Sequence, residues 1–404
     1  MSTRSRNRSP RVGPLAARTH APPHFDVDAL LADRDVGIIV CCGSGGVGKT
    51  TTSASLALRA AEQGRKAVVL TIDPARRLAQ SMGLTELDNT PRPVRGVDTA
   101  QGGSLDAMML DMKRTFDEVV EAHASPDKAR QILSNPFYQA VSSSFAGTQE
   151  YMAMEKLGQL HAEARGPDGH GRWDLIVVDT PPSRSALDFL DAPERLASFL
   201  DGRFIRLMTV PARGPARLFS AGLSVVTGAL SKVLGAQMLR DAQTFIAAFD
   251  TLFGGFRARA DHTYRLLQAE ETAFVVVAAP AADALREAAY FVERLSEEHM
   301  PLAGLVVNRV TQTHAPGLEQ AGAAAAAQRL NEREVHPVTA HLLRLHADRM
   351  TAIAHEEHLR RRFTAAHPGV PAAEVPAMAT DVHDLDGLRA VATALVVAPR
   401  AESA

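Results

Sequence analysis

The segment Gly43-Ser44-Gly45-Gly46-Val47-Gly48-Lys49-Thr50 restricts this chain more than any other. It satisfies the pattern G-x-x-x-x-G-K-[ST]. It follows the apolar run Val36–Cys42 and opens a helical pattern from Lys49 to Gln63, which Gly64 closes. Strand, glycine-rich turn and helix in that order build a cradle for phosphate. Glycines let the backbone curl until successive N–H groups face inward, and the helix start adds the positive end of its dipole. The chemistry assigns Lys49 to the terminal phosphates as a point charge and the Thr50 hydroxyl to a Mg2+ ion. Gly43, Ser44, Gly45, Gly46, Val47, Gly48, Lys49, Thr50 and Thr51 are the candidate nucleotide-contacting residues.

Further apolar, β-favouring runs recur at Lys66–Ile72, Ser104–Asp111, Trp173–Asp179, Ala273–Ala279 and Leu302–Asn308, with helical stretches between them. Runs of this kind suit strands buried on both faces. Their alternation with helices predicts an α/β fold with a doubly wound, mostly parallel sheet. Two carboxylates end such runs. Asp179 is placed to hold the Mg2+ shell, normally through water. Asp73, just past the second run, is placed to polarise the attacking water or to hold the same shell. The intervals between Asp111 and Trp173 and between Asp179 and Ala273 are too long for ordinary crossovers. Both read as helical, at Lys113–Ala124, Glu150–Ala164, Pro193–Leu207 and Leu239–Ala269, with a joint at Pro211–Pro215. This predicts a helical subdomain inserted within about 112–172 and 190–270 of a single unit spanning 34–404. Ala321–Ala327 reads as a plain alanine-rich helix, and residues 1–33 as a disordered Arg/Ser/Pro-rich tail.

Composition excludes several classes. Lys+Arg is 44 against 46 for Asp+Glu and aromatics are 5%, so no nucleic-acid partner is expected. Cys41 and Cys42 are adjacent and no C-x-x-C exists, which removes a disulfide framework and fits a reducing cytoplasm. Both cysteines read as small core residues, so no arsenite site is expected, since that ligand needs clustered thiolates. No apolar run reaches the roughly 18 residues of a membrane span. The longest, Leu218–Ser231, is bounded by Arg217 and Lys232. Phe219, Leu223, Val226, Leu230 and Val233 share one helical face, which reads either as subdomain core or as a groove for an apolar client helix or a membrane surface. His355, Glu356, Glu357 and His358 read as a solvated helix surface rather than a metal site.

The loop Gly43–Thr51, the segment T-I-D-P-A-R-R-L (Thr71–Leu78) and the segment V-V-D-T-P-P-S (Val177–Ser183) resemble the ArsA-like ATPases, the arsenite-pump and guided-entry members of the deviant-Walker class. In this resemblance Asp73–Arg76 matches the family's first switch D-P-A-H, with Arg76 for His. Asp179–Ser185 matches its second, Asn308 its adenine-reading Asn, and Val375–Leu385, including Pro376, its loop beside the base. The resemblance extends over roughly Val36–Val397 and implies an ATP- and Mg2+-dependent hydrolase. In that reading Asp73 polarises water, and two subunits face each other across their nucleotides while the switches move the helical subdomains.

One position departs from the pattern. The family's loop carries a Lys where this chain has Ser44, and that Lys reaches the partner subunit's nucleotide. A hydroxyl does not replace a cation on a four-carbon stem. The implied assembly is therefore a slow homodimer, one in which another Arg substitutes, or a heterodimer with a paralogous subunit that supplies the Lys. A low-turnover regulatory subunit and a ParA/MinD-like positioning ATPase are the competing readings. Against the latter stand the long helical insertion and the absence of a basic amphipathic C-terminus.

Overall fold

A computed structural model describes residues 23–72, 77–84, 87–136, 138–139, 148–166, 171–181 and 258–397. Asp73, Arg76, residues 182–185 of the second-switch match, the stretches Pro193–Leu207, Pro211–Pro215 and Phe219–Val233, and residues 239–257 of the last helical stretch lie outside the described residues.

Eight strands form one sheet. They are β1 (Ile38–Cys42), β2 (Lys66–Thr71), β3 (Arg92–Pro93), β4 (Ser104–Met109), β5 (Leu175–Asp179), β6 (Thr272–Ala278), β7 (Leu302–Val310) and β8 (Ala372–Pro376). Their spatial order is β3-β4-β2-β5-β1-β6-β7-β8, and every pairing except β3–β4 is parallel. The six apolar runs are all strands, and every residue of β1, β5 and β6 is buried. The pleat sends Ile38, Val40, Val68, Val178 and Val276 into one apolar layer. Ile39, Cys41, Val69, Val177 and Val275 enter the opposite one. The second layer is closed by α2 (Lys49–Glu62) and by the C-terminal helix Leu385–Val396, which pack on each other. The first is closed by helices Met112–His123, Thr148–Arg165 and Ala282–Glu297.

Three departures from the sequence reading have physical causes. First, residues 23–33, assigned above to a disordered tail, belong to the fold. Helix α1 (Val27–Ala32) is capped by Asp26, whose carboxylate accepts from the Ala29 N–H at 2.9 Å, and Val27 and Leu31 are buried. Phe25 lies where a Cβ on Gly304 would stand, 2.7 Å from its ring. Arg65, 1% exposed, donates to the carbonyls of Asp33 (2.9 Å) and Val36 (2.8 Å) and to the Asp174 carboxylate (2.8 Å), tying this segment to the sheet. Second, two strands escaped notice because neither carries an apolar run. β3 is a two-residue antiparallel edge, and β8 reads Ala-Ala-Glu-Val-Pro, with Pro376 tolerated at the sheet's rim. Third, the alanine-rich helix is one limb of a two-helix arm between β7 and β8. Gln320–Glu332 packs on the 30-residue helix Pro337–Ala366 through buried Ala323, Ala327, Ala340 and Ala347.

Candidate functional site

The loop after β1 is shaped by positions where no side chain fits. Gly43 has φ 148°, and a Cβ there would stand 2.1 Å from the Val277 carbonyl oxygen of β6. Gly48 has φ 96° and caps α2 with no side-chain acceptor. A Cβ on it would meet the Asn308 carboxamide nitrogen at 2.2 Å. The first N–H groups of α2 therefore open toward the loop's concave side, the arrangement that binds anions. Gly45 and Gly46 are exposed, Ser44 and Thr51 are half-buried, and Val47 is buried beneath the turn.

Lys49 is 5% exposed, and its ammonium donates to the carbonyls of Gly43 (3.0 Å) and Ser44 (2.8 Å). A buried ammonium must be matched by oxygens, and the loop that would receive phosphate supplies two of them. Asp179, fully buried at the end of β5, accepts at one carboxylate oxygen from two hydroxyls, those of Thr50 (2.7 Å) and Thr71 (2.9 Å). Backbone bonds lock the same corner, from Ile72 N–H to the Asp179 carbonyl (3.0 Å) and from Thr180 N–H to the Cys41 carbonyl (3.3 Å). The donor set fits Mg2+, a hard ion that takes one or two protein oxygens and fills its shell with water and phosphate. Among the described residues no group of three His, Cys, Asp or Glu is placed to hold a metal without such help.

Asn308 lies at the loop. Its side-chain N–H donates to the Val47 carbonyl (2.8 Å), and its own oxygen accepts from the Arg309 N–H (3.0 Å). Arg309 then takes φ 63°, where the β7–β8 register shifts. Pro376 ends β8 opposite Val310, and Ala377 N–H bonds the Val310 carbonyl at 2.9 Å. The structure thus gathers Gly43–Thr51, Asp179 and Asn308 at one sheet edge, and Ile72 brings the chain to the same corner just before Asp73.

Two features were not anticipated. Thr71 reads as a strand residue, and only its place opposite Asp179 in the parallel register reveals its role. Glu356, read as solvated surface, instead accepts from the Thr311 N–H (2.9 Å) and hydroxyl (2.6 Å), fastening the long helix to the residue that follows β7, three past Asn308. Glu357 pairs with Arg360 and Arg361, while His355 and His358 stay exposed. Cys41 and Cys42 are buried core residues, and burial pushes the Cys41 thiol up to about 12 and the Cys42 thiol higher still.

Parallel sheet, glycine loop and facing carboxylate define a P-loop NTPase fold. Residues 36–335 match the family of anion-transporting ATPases (ArsA ATPases). The chain is 23% identical over 309 residues to an ATPase GET3C of Arabidopsis thaliana, covering 74% of this chain and 73% of that protein. It is 24% identical over 295 residues to an ATPase ASNA1 homolog of Cryptosporidium parvum, covering 71% of each. It is 29% identical over 161 residues to an arsenical pump-driving ATPase of Acidiphilium multivorum, covering 39% of this chain and 26% of that larger protein. The chain belongs to the anion-transporting ATPase family. No helix among the described residues is long and apolar enough to cross a membrane.

Proposed function

We propose that this chain binds Mg2+–ATP at residues 43–51 and hydrolyses it, coupling nucleotide state to a conformational change in a cytoplasmic dimer that acts on a protein client or partner. The observation that carries the reading is the convergence of the Thr50 and Thr71 hydroxyls on one Asp179 oxygen, beside a loop in which Gly43 and Gly48 admit no side chain. When bound, Mg2+ supplies charge neutralisation between the phosphates. Thr50 would hold it directly and Asp179 through water. Lys49 exchanges its loop carbonyls for phosphate oxygens. Asn308 borders the base with Pro376 nearby on β8, and Asp73 orients and polarises the attacking water. Cys41 and Cys42 expose no thiolate, which supports a cargo other than arsenite.

Ser44 favours a second feature of the same reading, a heterodimer in which a paralogous subunit supplies the cation that crosses the interface. Without such a partner the chain is a low-turnover, nucleotide-binding subunit. Titration calorimetry tests the site: Lys49→Ala should abolish tight ATP binding, and unchanged affinity in the folded variant would remove the site. Turnover of Ser44→Lys tests the assembly. A rise of at least about tenfold for the chain alone supports the missing cation, equivalent to roughly 1.4 kcal/mol in barrier. No rise, with brisk wild-type turnover, would sink the heterodimer.

A further inference from the structure

Among the described residues, Arg309 is the only non-glycine residue with positive φ inside a strand; His299, Glu334 and His336 lie between elements. A left-handed conformation costs such a residue free energy and persists only where its surroundings over-determine it. Arg309 is exposed, so the packing of its own side chain does not hold it there. Its neighbours do. The Arg309 N–H donates to the Asn308 side-chain oxygen, and buried Val310 accepts at its carbonyl from the Ala377 N–H. Thr311 is held twice, by its N–H and by its hydroxyl, and each bond uses a different carboxylate oxygen of Glu356. Glu356 lies one and two turns before Leu359 and Phe363, which are buried in the same core layer as Val310. The carboxylate therefore sits on the core-facing side of the long helix Pro337–Ala366, spent on a single residue.

We infer that Glu356 is a positioning residue for Asn308: by clamping Thr311 it holds the left-handed turn at Arg309, and that turn fixes the edge the Asn308 carboxamide offers to a purine base. The inference rests on the placement of Asn308 beside the base proposed above. A carboxamide has two N–H donors and two oxygen lone pairs. The Val47 carbonyl takes one donor and the Arg309 N–H takes one lone pair, so these two partners fix which side-chain atom is the oxygen. One donor and one acceptor remain for a ligand. Adenine presents the complement, an amino donor beside the acceptor N7, whereas guanine presents two acceptors there. When the turn relaxes, the Arg309 N–H leaves the side-chain oxygen. The carboxamide is then free to turn end for end, and the preference for adenine is lost.

Titration calorimetry of the full chain with Mg2+–ADP and Mg2+–GDP, which avoids turnover, tests the clamp through base preference. The wild type is expected to bind ADP about tenfold or more tightly than GDP. Asn308→Ala should erase that preference. Glu356→Ala and Thr311→Val should each lower it by at least about threefold, through weaker ADP binding, while Thr311→Ser keeps it. Thr311→Val retains the shape of the side chain and the backbone bond to Glu356, and serves if Glu356→Ala does not fold by circular dichroism. Glycine adopts the left-handed conformation without strain. Arg309→Gly should therefore recover most of the preference in either weakened chain, which it would not do if Glu356 merely fastened the helix. Equal binding of ADP and GDP by the wild type, or an unchanged preference in Asn308→Ala, would overturn the placement of Asn308 and the inference with it. A preference lost in Asn308→Ala but kept in Glu356→Ala and Thr311→Val, or no recovery with Arg309→Gly, would overturn the inference alone.

Discussion

Thr71 donates its hydroxyl to Asp179 across 2.9 Å, and the acceptor is the same oxygen that Thr50 uses. A fully buried carboxylate depends on such donors. Thr71→Val keeps the shape and removes one of them, and should destabilise the fold by about 1–2 kcal/mol in urea unfolding. It should also shrink the gain in ATP affinity that Mg2+ produces, while Thr71→Ser restores both. If Thr71→Val matches the wild type in stability and in Mg2+ response, the hydroxyl does not position Asp179.

Gly48→Ala tests the closeness of the loop to β7. The substitution forces a Cβ into φ 96° and against the Asn308 carboxamide. A loss of about 1–3 kcal/mol is expected from strain of this kind. Asn308→Ala in the same chain should recover the steric part of that loss. Equal penalties with and without Asn308 would show that the clash is relieved elsewhere.

Asp73→Asn should leave ATP binding near the wild-type value and slow turnover, since a neutral amide polarises water poorly. Single-turnover measurements separate the two effects. Wild-type turnover in the variant would assign the water to another group.

The glycine loop and the central strands were legible because each is specified locally, the loop by residues that tolerate φ > 0 and the strands by unbroken apolar runs. Asp179 followed because strand ends of a parallel sheet share one edge, whereas Asn308 came from the family resemblance alone. What escaped depends on distant partners. Helix Val27–Ala32 sits in a polar-looking stretch and is held by Arg65, more than thirty residues away. Glu356 is one of several charged residues in a row, and only its bonds to Thr311, just past β7, single it out. β8 lacks the apolar signature because its outer position asks little of its side chains.

Arg65→Ala should therefore act on the N-terminal segment first. Removing a buried guanidinium that serves several carbonyls and Asp174 is expected to cost about 3 kcal/mol. Limited proteolysis should then cut within residues 23–35 before the sheet is attacked. Uniform susceptibility along the chain would contradict a local role.

Burial raises the Cys41 thiol to about 12, above its value in the unfolded chain. Its contribution to stability is complete below about pH 8.5, the ordinary thiol value, and is lost as pH climbs toward 12, because the unfolded chain releases the proton first. A thiol reagent at pH 8 should find neither cysteine until urea is added. Over pH 9–11 the stability of Cys41→Ala should fall less steeply than that of the wild type. Identical slopes would place the thiol in contact with water.

The long helix Pro337–Ala366 is rooted at one end and thin at the other. Leu359 and Phe363 enter the core of the sheet, whereas the outer half buries little beyond Ala340 and Ala347. A buried alanine removes far less apolar area from water than a leucine or phenylalanine, so opening the tip exposes little. Amide exchange along this single helix should be graded, fast near Val338 and slow near Phe363, which makes it an internal gauge of how firmly anything grips the arm.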